Sequence, residues 1–121
     1  MVSALMNGRD TALPDTCNAC QQACESCGYG CCVEKPGMAE CARLCFDCAT
    51  ICAACSALIA RGSPRAAALA ELCARVCAEC AAECGRHDDD ACRECAEACR
   101  RCAEQSRSPT LITVPCVSAS T

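Results

Sequence analysis

Apolar and polar positions alternate with a helical period in four stretches of the chain, and the most regular apolar positions are cysteines. They recur in steps of three and four residues, which place side chains on one stripe of an α-helix. The pattern predicts four helices, each with an inward stripe of thiols where a bundle normally carries leucine. The stripe positions are Cys17, Cys20, Cys24, Cys27 and Cys31, then Cys41, Cys45, Cys48, Cys52 and Cys55, then Cys73, Cys77, Cys80 and Cys84, and finally Cys92, Cys95, Cys99 and Cys102.

Capping residues and glycines set the expected limits of the first helix. It is predicted to start within residues 14–16, where Asp15 or Thr16 can cap its N-terminus. Gly28 and Gly30 predict an irregular backbone in its last turn, because glycine is a poor helix former.

The other three helices are bounded by equally local signals. Gly62 suits the position just past the second helix, and Ser63 followed by proline suits the start of the third. The acidic run 88–90 offers a cap and favourable charge at the start of the fourth. The expected ranges are Met38–Arg61, Pro64–Glu83 and Asp89–Gln105.

Short connections between four helices predict an all-α fold, an antiparallel four-helix bundle with a cysteine-lined core. We expect residues 1–13 to form a flexible arm, 14–106 the bundle and 107–121 a tail that is poorly ordered or docks. Two cysteines are expected off the stripes. Cys116 lies in the tail, and Cys32 is displaced by about 100° from its neighbour on the first helix.

The composition requires something besides an ordinary hydrophobic core. Of 121 residues, 20 are cysteine, none is Trp, and Tyr and Phe occur once each. Alanine and cysteine bury little apolar area per residue, so disulfides or metal should contribute to stability. The net charge of −4 and the absence of a basic patch argue against nucleic acid as a partner.

The N-terminal residues show no secretory pattern, and no stretch is expected to span a membrane. These features favour the cytoplasm. Because the cytosol keeps thiols reduced, so many cysteines there indicate metal binding more than a disulfide scaffold.

The cysteine spacing discriminates among the soft metals that thiolates prefer. A cubane iron–sulfur run needs two successive C-x2-C steps, and this chain has none. Zinc needs four converging thiolates, and each isolated Zn(Cys)4 site would bury two negative charges. Cu(I) accepts two or three thiolates, which can bridge ions and leave a neutral core. No open coordination position with a general base is apparent, so an enzyme is not expected.

Pairs of cysteines four residues apart could each clamp one ion from a single helix. These pairs are Cys20–Cys24, Cys27–Cys31, Cys41–Cys45, Cys48–Cys52, Cys73–Cys77, Cys80–Cys84 and Cys95–Cys99.

The runs C-A-R-L-C-F-D-C-A-T-I-C-A-A-C from Cys41 and C-R-E-C-A-E-A-C-R-R-C from Cys92 resemble the bacterial copper storage proteins, in their cytosolic branch. The E-C-G-R-H sequence before the fourth helix fits as well. The resemblance implies a bundle that stores many Cu(I) ions inside, commonly as a homotetramer. It makes copper ions the cargo and a cytosolic copper chaperone a candidate partner. Ser106, the next stripe position after Cys102, departs from the family by ending the thiol stripe.

Two further residues are candidate ligands at one end of the bundle. In an up-down bundle the first and third turns lie at the same end, which places Met38 and His87 together. Both can bind copper, so we predict that ions enter there. The opposite end is expected to be closed by apolar side chains, namely Leu58, Ile59, Leu69 and Leu72.

Other interpretations of the thiols stay open at this point. A zinc or broad-metal detoxifying protein would also use cross-helix C-x2-C pairs, although the charge argument favours copper. A thiol redox reservoir would use the same pairs for disulfide exchange, but no βαβ context surrounds them. A small-residue core with inert thiols would not explain the regular selection of cysteine over alanine and leucine.

Overall fold

The computed structural model describes residues 12–107, which form four α-helices and one π-helical turn. As expected, Gly62 follows the second helix and the acidic run 88–90 lies at the start of the fourth. The helices are α1 (Ala12–Cys27), α2 (Ala39–Ala60), α3 (Ala66–Cys84) and α4 (Asp90–Ser106), and the π-helical turn Gly28–Cys32 continues α1.

The helices form a closed ring in which each packs against two neighbours. Helix α1 contacts α2 and α4, and α3 contacts the same two helices from the other side. Short turns join consecutive helices, so neighbours run antiparallel. The predicted all-α bundle is confirmed, and the four cysteine stripes face a common axis.

Helix α1 starts earlier than expected. Ala12 and Leu13 belong to the helix, so Asp15 and Thr16 are not caps. The Thr16 hydroxyl lies 2.9 Å from the Ala12 carbonyl oxygen, inside the first turn. The burial of Leu13, which is 1% exposed, explains the longer helix, because an apolar side chain at that position gains a place in the core. The rest of the expected arm and tail, with Cys116, lies outside the described residues.

The turn between α2 and α3 follows the expected glycine signal. Gly62 has φ of 67°, the left-handed region that glycine adopts without strain. The Ser63 N–H then donates to the Leu58 carbonyl at 2.9 Å, closing the end of α2. Ser63 Oγ accepts a hydrogen bond from the Arg65 N–H at 3.0 Å. The N-cap of α3 is nevertheless Arg65 and not the predicted Ser63, because the helix starts at Ala66 rather than at Pro64.

The last turn of α1 widens into a π-helix. The Val33 N–H donates to the Gly28 carbonyl five residues earlier, at 2.9 Å. A π turn carries one residue more than an α turn, so every later side chain is shifted round the axis. Gly28 lies against α2, where a Cβ atom would come within 3.1 Å of Cys45 Cβ and the Phe46 ring. The expected irregularity is confirmed, and its form is a one-residue shift.

The end of the bundle opposite the first and third turns is closed by apolar side chains, but not by all of those predicted. Leu13 and Ile59 are buried there. Leu58 and Leu69 are only partly buried against the core, and Leu72 is also only partly buried. On α3 the stripe continues through two alanines rather than through Leu69, because positions three and seven residues before Cys73 face the axis. These are Ala70 and Ala66.

Helix α2 is the one described helix that is long and apolar enough to cross a membrane by length and composition. An 18-residue window within this 22-residue helix has a mean hydropathy of 1.6, although no stretch was expected to span a membrane. Cysteine, alanine, leucine, isoleucine and phenylalanine all contribute to this value, and the α2 cysteines are buried against the other three helices. A core helix passes the same test as a membrane span.

Candidate metal centre

Thiols fill most of the length of the bundle axis. All nineteen cysteines in the described part of the chain are free, and eighteen of them are buried. Seventeen of the predicted stripe cysteines are in this buried set, and each has zero or near-zero exposure. Cys31 is the exception, and Cys32 occupies its place.

The prediction that Cys31 faces the core and Cys32 lies off the stripe was therefore wrong, because the two residues have exchanged places. The Cys32 Sγ atom lies 3.7 Å from Cys27 Sγ and 3.4 Å from Cys41 Sγ, inside the core. Cys31 is only partly buried at the surface. The signal was present in the sequence, since two glycines beside a pair of adjacent cysteines permit a five-residue step. Helical spacing alone gave no reason to prefer it.

Neighbouring sulfur atoms stand at distances that suit a shared ion. Sγ–Sγ separations between helices include 3.5 Å for Cys48–Cys77, 3.6 Å for Cys20–Cys99 and 3.6 Å for Cys27–Cys92. With metal–sulfur bonds of about 2.3 Å, trigonal coordination places sulfurs about 4.0 Å apart and tetrahedral coordination slightly closer. The core could take ions with small side-chain movements.

In five of the seven predicted pairs within one helix, the two Sγ atoms lie within 4.0 Å of each other. Cys73–Cys77 is the closest at 3.8 Å, and Cys20–Cys24 is at 4.0 Å. The Cys27–Cys31 pair does not form because of the π turn. Cys41 and Cys45 approach Cys84 instead, at 3.5 and 3.6 Å.

The thiols also form overlapping groups of four from different helices. Within each group all Sγ atoms lie within 4.8 Å of one another, so each group could hold a metal ion. Several thiols belong to two groups, so the sites are continuous rather than separate. Examples are Cys20–Cys24–Cys48–Cys99, Cys24–Cys80–Cys95–Cys99, Cys20–Cys52–Cys77–Cys102, Cys27–Cys32–Cys41–Cys92 and Cys27–Cys41–Cys45–Cys84.

Burial favours the protonated form of the thiols of Cys92 and Cys32, so their pKa values are raised when no metal is bound. Desolvation raises the pKa of Cys92 to about 12, with a further contribution from its hydrogen bond with Cys27. Desolvation likewise raises the pKa of Cys32 to about 12. A metal ion that binds these two thiols must therefore displace protons from sulfur.

Ser106 ends the stripe on α4 as predicted. Its side chain is buried, and its Oγ atom lies 3.9 Å from Cys102 Sγ. A hydroxyl is a harder ligand than a thiolate, so the Ser106 side chain is expected to bind soft metal ions weakly.

The other two predicted ligands lie in the turns at one end, which we call the mouth. Met38 precedes α2 and is buried at 7% exposure, as part of the core. The His87 ring lies in the α3–α4 turn, and its Nε2 is 2.9 Å from Glu83 Oε2. Hydrogen bonding with His87 lowers the pKa of Glu83, so this carboxylate is ionised.

An ion pair joins the two turns at the mouth. Lys35 Nζ lies 2.9 Å from Asp89 Oδ2, and both side chains are close to half exposed. The Cys31 thiol lies beside them, 3.5 Å from Asp89 Oδ2. Asp89 stands at the N-cap position of α4, but its carboxylate makes no capping hydrogen bond and serves this contact instead.

Comparison with known proteins identifies the family. A family model described as copper storage protein matches residues 6–110. The chain belongs to the copper storage protein family. This confirms the resemblance drawn from the runs that begin at Cys41 and Cys92. The chain has no match among the curated proteins.

Solved structures of copper storage proteins share the fold. The Cu(I)-bound copper storage protein BsCsp3 is 35% identical over 93% of this chain and 100% of its own, with a TM-score of 0.77. Apo-Csp3 from Bacillus subtilis is 41% identical over 80% and 94%, with a TM-score of 0.76. Ccsp from Streptomyces lividans, loaded with 10 copper equivalents, is 33% identical over 94% and 100%, with a TM-score of 0.78.

Proposed function

We propose that this copper storage family member holds many Cu(I) ions inside its bundle, bound by the eighteen buried thiols. The observation that carries the proposal is the continuous column of free thiols, whose groups of four share members along the axis. Copper bound there is protected from solvent and withheld from harmful reactions. The role is copper homeostasis by storage and protection, without catalytic turnover.

The electrostatics of the core favour Cu(I) over Zn(II). The described buried residues are cysteine and a few apolar or hydroxyl side chains, with no buried Lys or Arg to neutralise anionic clusters. Burying several Zn(Cys)4 groups would leave uncompensated negative charge, which is costly in a low-dielectric interior. One Cu(I) per thiolate gives zero net charge, so capacity should approach about one ion per buried thiol.

Ions enter at the mouth, past His87 and Met38. The opposite end is closed by Leu13 and Ile59. His87 is the one histidine of the chain and is mostly covered, with its side chain 17% exposed. Because Nε2 of the ring is paired with Glu83, Nδ1 is the ring nitrogen that can bind an incoming ion. Met38 lies between the turn and the first core thiols of α2 and adds a soft thioether ligand.

We further propose that the protein acts in the cytoplasm, as a homotetramer that receives copper from a cytosolic chaperone. One relative, from Streptomyces lividans, is described as a cytosolic copper storage protein. The described cysteines are all free thiols, which suits a reducing compartment.

An anaerobic titration of the reduced protein tests this function. Cu(I) is added against a chromophoric chelator, and Zn(II) uptake is measured in parallel. We expect the protein to bind far more than ten equivalents of Cu(I) per chain before the chelator colours, because each buried thiol should account for about one ion. Uptake that stops at about four or five equivalents, with tight Zn(II) binding, would support isolated four-thiolate zinc sites instead.

A further inference from the structure

The π-helical turn at the end of α1 places two adjacent thiols in different surroundings. Cys32 is buried, with its Sγ 3.7 Å from Cys27 Sγ. Cys31 lies at the surface, where its Sγ is 3.6 Å from Lys35 Nζ and 3.5 Å from Asp89 Oδ2. The same helix end carries one thiol in the core and its neighbour at the mouth.

An ordinary α turn over the same residues would exchange these two places. A step of four residues from Cys27 leads to Cys31, whereas the π turn makes a step of five to Cys32. A hydrogen bond from the Val33 N–H to the Gly28 carbonyl, at 2.9 Å, closes the end of the π turn. An α turn would replace that bond with one of its own, so the two registers have similar hydrogen bonding.

The surroundings of the turn allow this exchange. A Cβ atom at Gly30 would meet no atom within 4 Å, so this side of the turn has free space. The Lys35–Asp89 pair holds Cys31 at the surface, but its partners are 48% and 40% exposed. Exposed ion pairs contribute little to stability, so this restraint is easily released. Single π turns within α-helices often occur at functional sites.

We propose that the end of α1 is a register switch, in which a change from the π to the α turn carries a Cu(I) ion on Cys31 from the mouth to the core. This inference rests on the proposed function. The receiving thiols are Cys27 and Cys92, whose Sγ atoms lie 3.6 Å apart. Copper remains Cu(I). Each new copper–sulfur bond in the core replaces a sulfur–proton bond, whose proton passes to solvent. Cys31 takes up a proton when its own bond to copper breaks.

Thiol alkylation of the reduced apo protein tests the switch without copper. The protein is treated with iodoacetamide, and modified cysteines are quantified by mass spectrometry over time. In the α register Cys32 turns away from the core, so the switch predicts that it reacts about ten-fold or more faster than Cys27 and Cys41, through local opening. Equal reaction rates for Cys32, Cys27 and Cys41 would overturn the proposal.

Two variants at position 31 form a matched pair. In the π register residue 31 is at the surface, so Cys31→Ala and Cys31→Asp should both keep the helical circular dichroism. In the α register residue 31 enters the core, which alanine tolerates and a carboxylate does not. Cys31→Asp should therefore slow alkylation of Cys32 to the rate of Cys41, whereas Cys31→Ala should not. Equal Cys32 rates in the two variants would contradict the switch.

Stopped-flow loading with Cu(I) tests the transfer step. Both variants should take up the first copper equivalents several-fold more slowly than the wild type while reaching nearly the same capacity. Unchanged rates would overturn the role of Cys31 in transfer. If the wild type takes up no copper, the proposed function fails together with the transfer role, and alkylation still decides whether the register exchanges.

Discussion

The Cys32 Sγ atom lies 3.4 Å from Cys41 Sγ, across the interface between the end of α1 and the start of α2. Regular helical spacing from Cys27 would have placed Cys31 in that position. The five-residue turn keeps the number of buried thiols at eighteen while changing which cysteine supplies one of them.

Replacing these two cysteines separately should affect capacity differently. We expect Cys32→Ala to lower Cu(I) capacity by about one equivalent, since each buried thiol accounts for roughly one ion. Cys31→Ala is the matched control and should leave capacity nearly unchanged. Chelator competition at saturation measures both. A loss of capacity in Cys31→Ala but not in Cys32→Ala would mean that the α register is the one that holds copper.

Most of this arrangement could be predicted from the sequence because helical spacing alone places the thiols of α2, α3 and α4. The prediction failed at the end of α1, where the backbone forms a π turn instead of an α turn and places Cys32 rather than Cys31 in the core. Gly28 and Gly30 indicated irregularity, but the direction of the register shift depends on how closely Gly28 packs against Cys45 and Phe46. Leu13 was assigned to an arm because residues with no periodicity precede it, and only its tertiary packing shows that it closes the bundle.

Adding a side chain at Gly28 should destabilise the protein. The new Cβ would lie 3.1 Å from both Cys45 Cβ and the Phe46 ring, tighter than ordinary contact. Overpacking costs about 1–3 kcal/mol, which exceeds the gain of up to about 1 kcal/mol in helix propensity. We expect Gly28→Ala to lower the free energy of unfolding by about 1 kcal/mol in urea titrations.

Gly30→Ala serves as the control for that prediction. Its Cβ would meet no atom within 4 Å, so only the helix propensity changes. This variant should be unchanged or more stable by up to about 1 kcal/mol. If both variants lose stability equally, the close approach of Gly28 to α2 is not what fixes this turn.

Extending the thiol stripe should increase capacity. Ser106 is 3% exposed, and its Oγ atom lies 3.9 Å from Cys102 Sγ, so a thiol at this position would face the core. We expect Ser106→Cys to add about one Cu(I) equivalent at saturation. Ser63→Cys, in the α2–α3 turn rather than on a stripe, is the control and should add none. Equal capacity in Ser106→Cys and the wild type would contradict the assignment of this stripe.

The reduced apo protein should lose stability at alkaline pH. The folded-state pKa of Cys92 and of Cys32 is raised to about 12 from an ordinary value of 9.0, chiefly by desolvation. The folded protein therefore retains protons that the unfolded chain releases, so the contribution is complete below pH 9 and is lost as pH rises toward 12. Each pH unit in that window costs up to about 1.4 kcal/mol per thiol.

Thermal unfolding followed by circular dichroism, under anaerobic reducing conditions, checks the direction of this effect. The midpoint should fall steadily as the pH is raised from about 9 to about 10.5. A midpoint that is constant or rises across this range would contradict the retention of protons by Cys92 and Cys32 in the folded apo protein.

The central claim is that copper lies inside the bundle on the buried thiols, and anomalous diffraction at the copper edge tests it most directly. Crystals of the fully loaded protein should show a column of copper peaks along the bundle axis, each within about 2.3 Å of core sulfurs. Cys32 should be among the ligands in the saturated state. Copper peaks confined to the mouth at His87 and Met38, or to the outer surface, would contradict storage within the core.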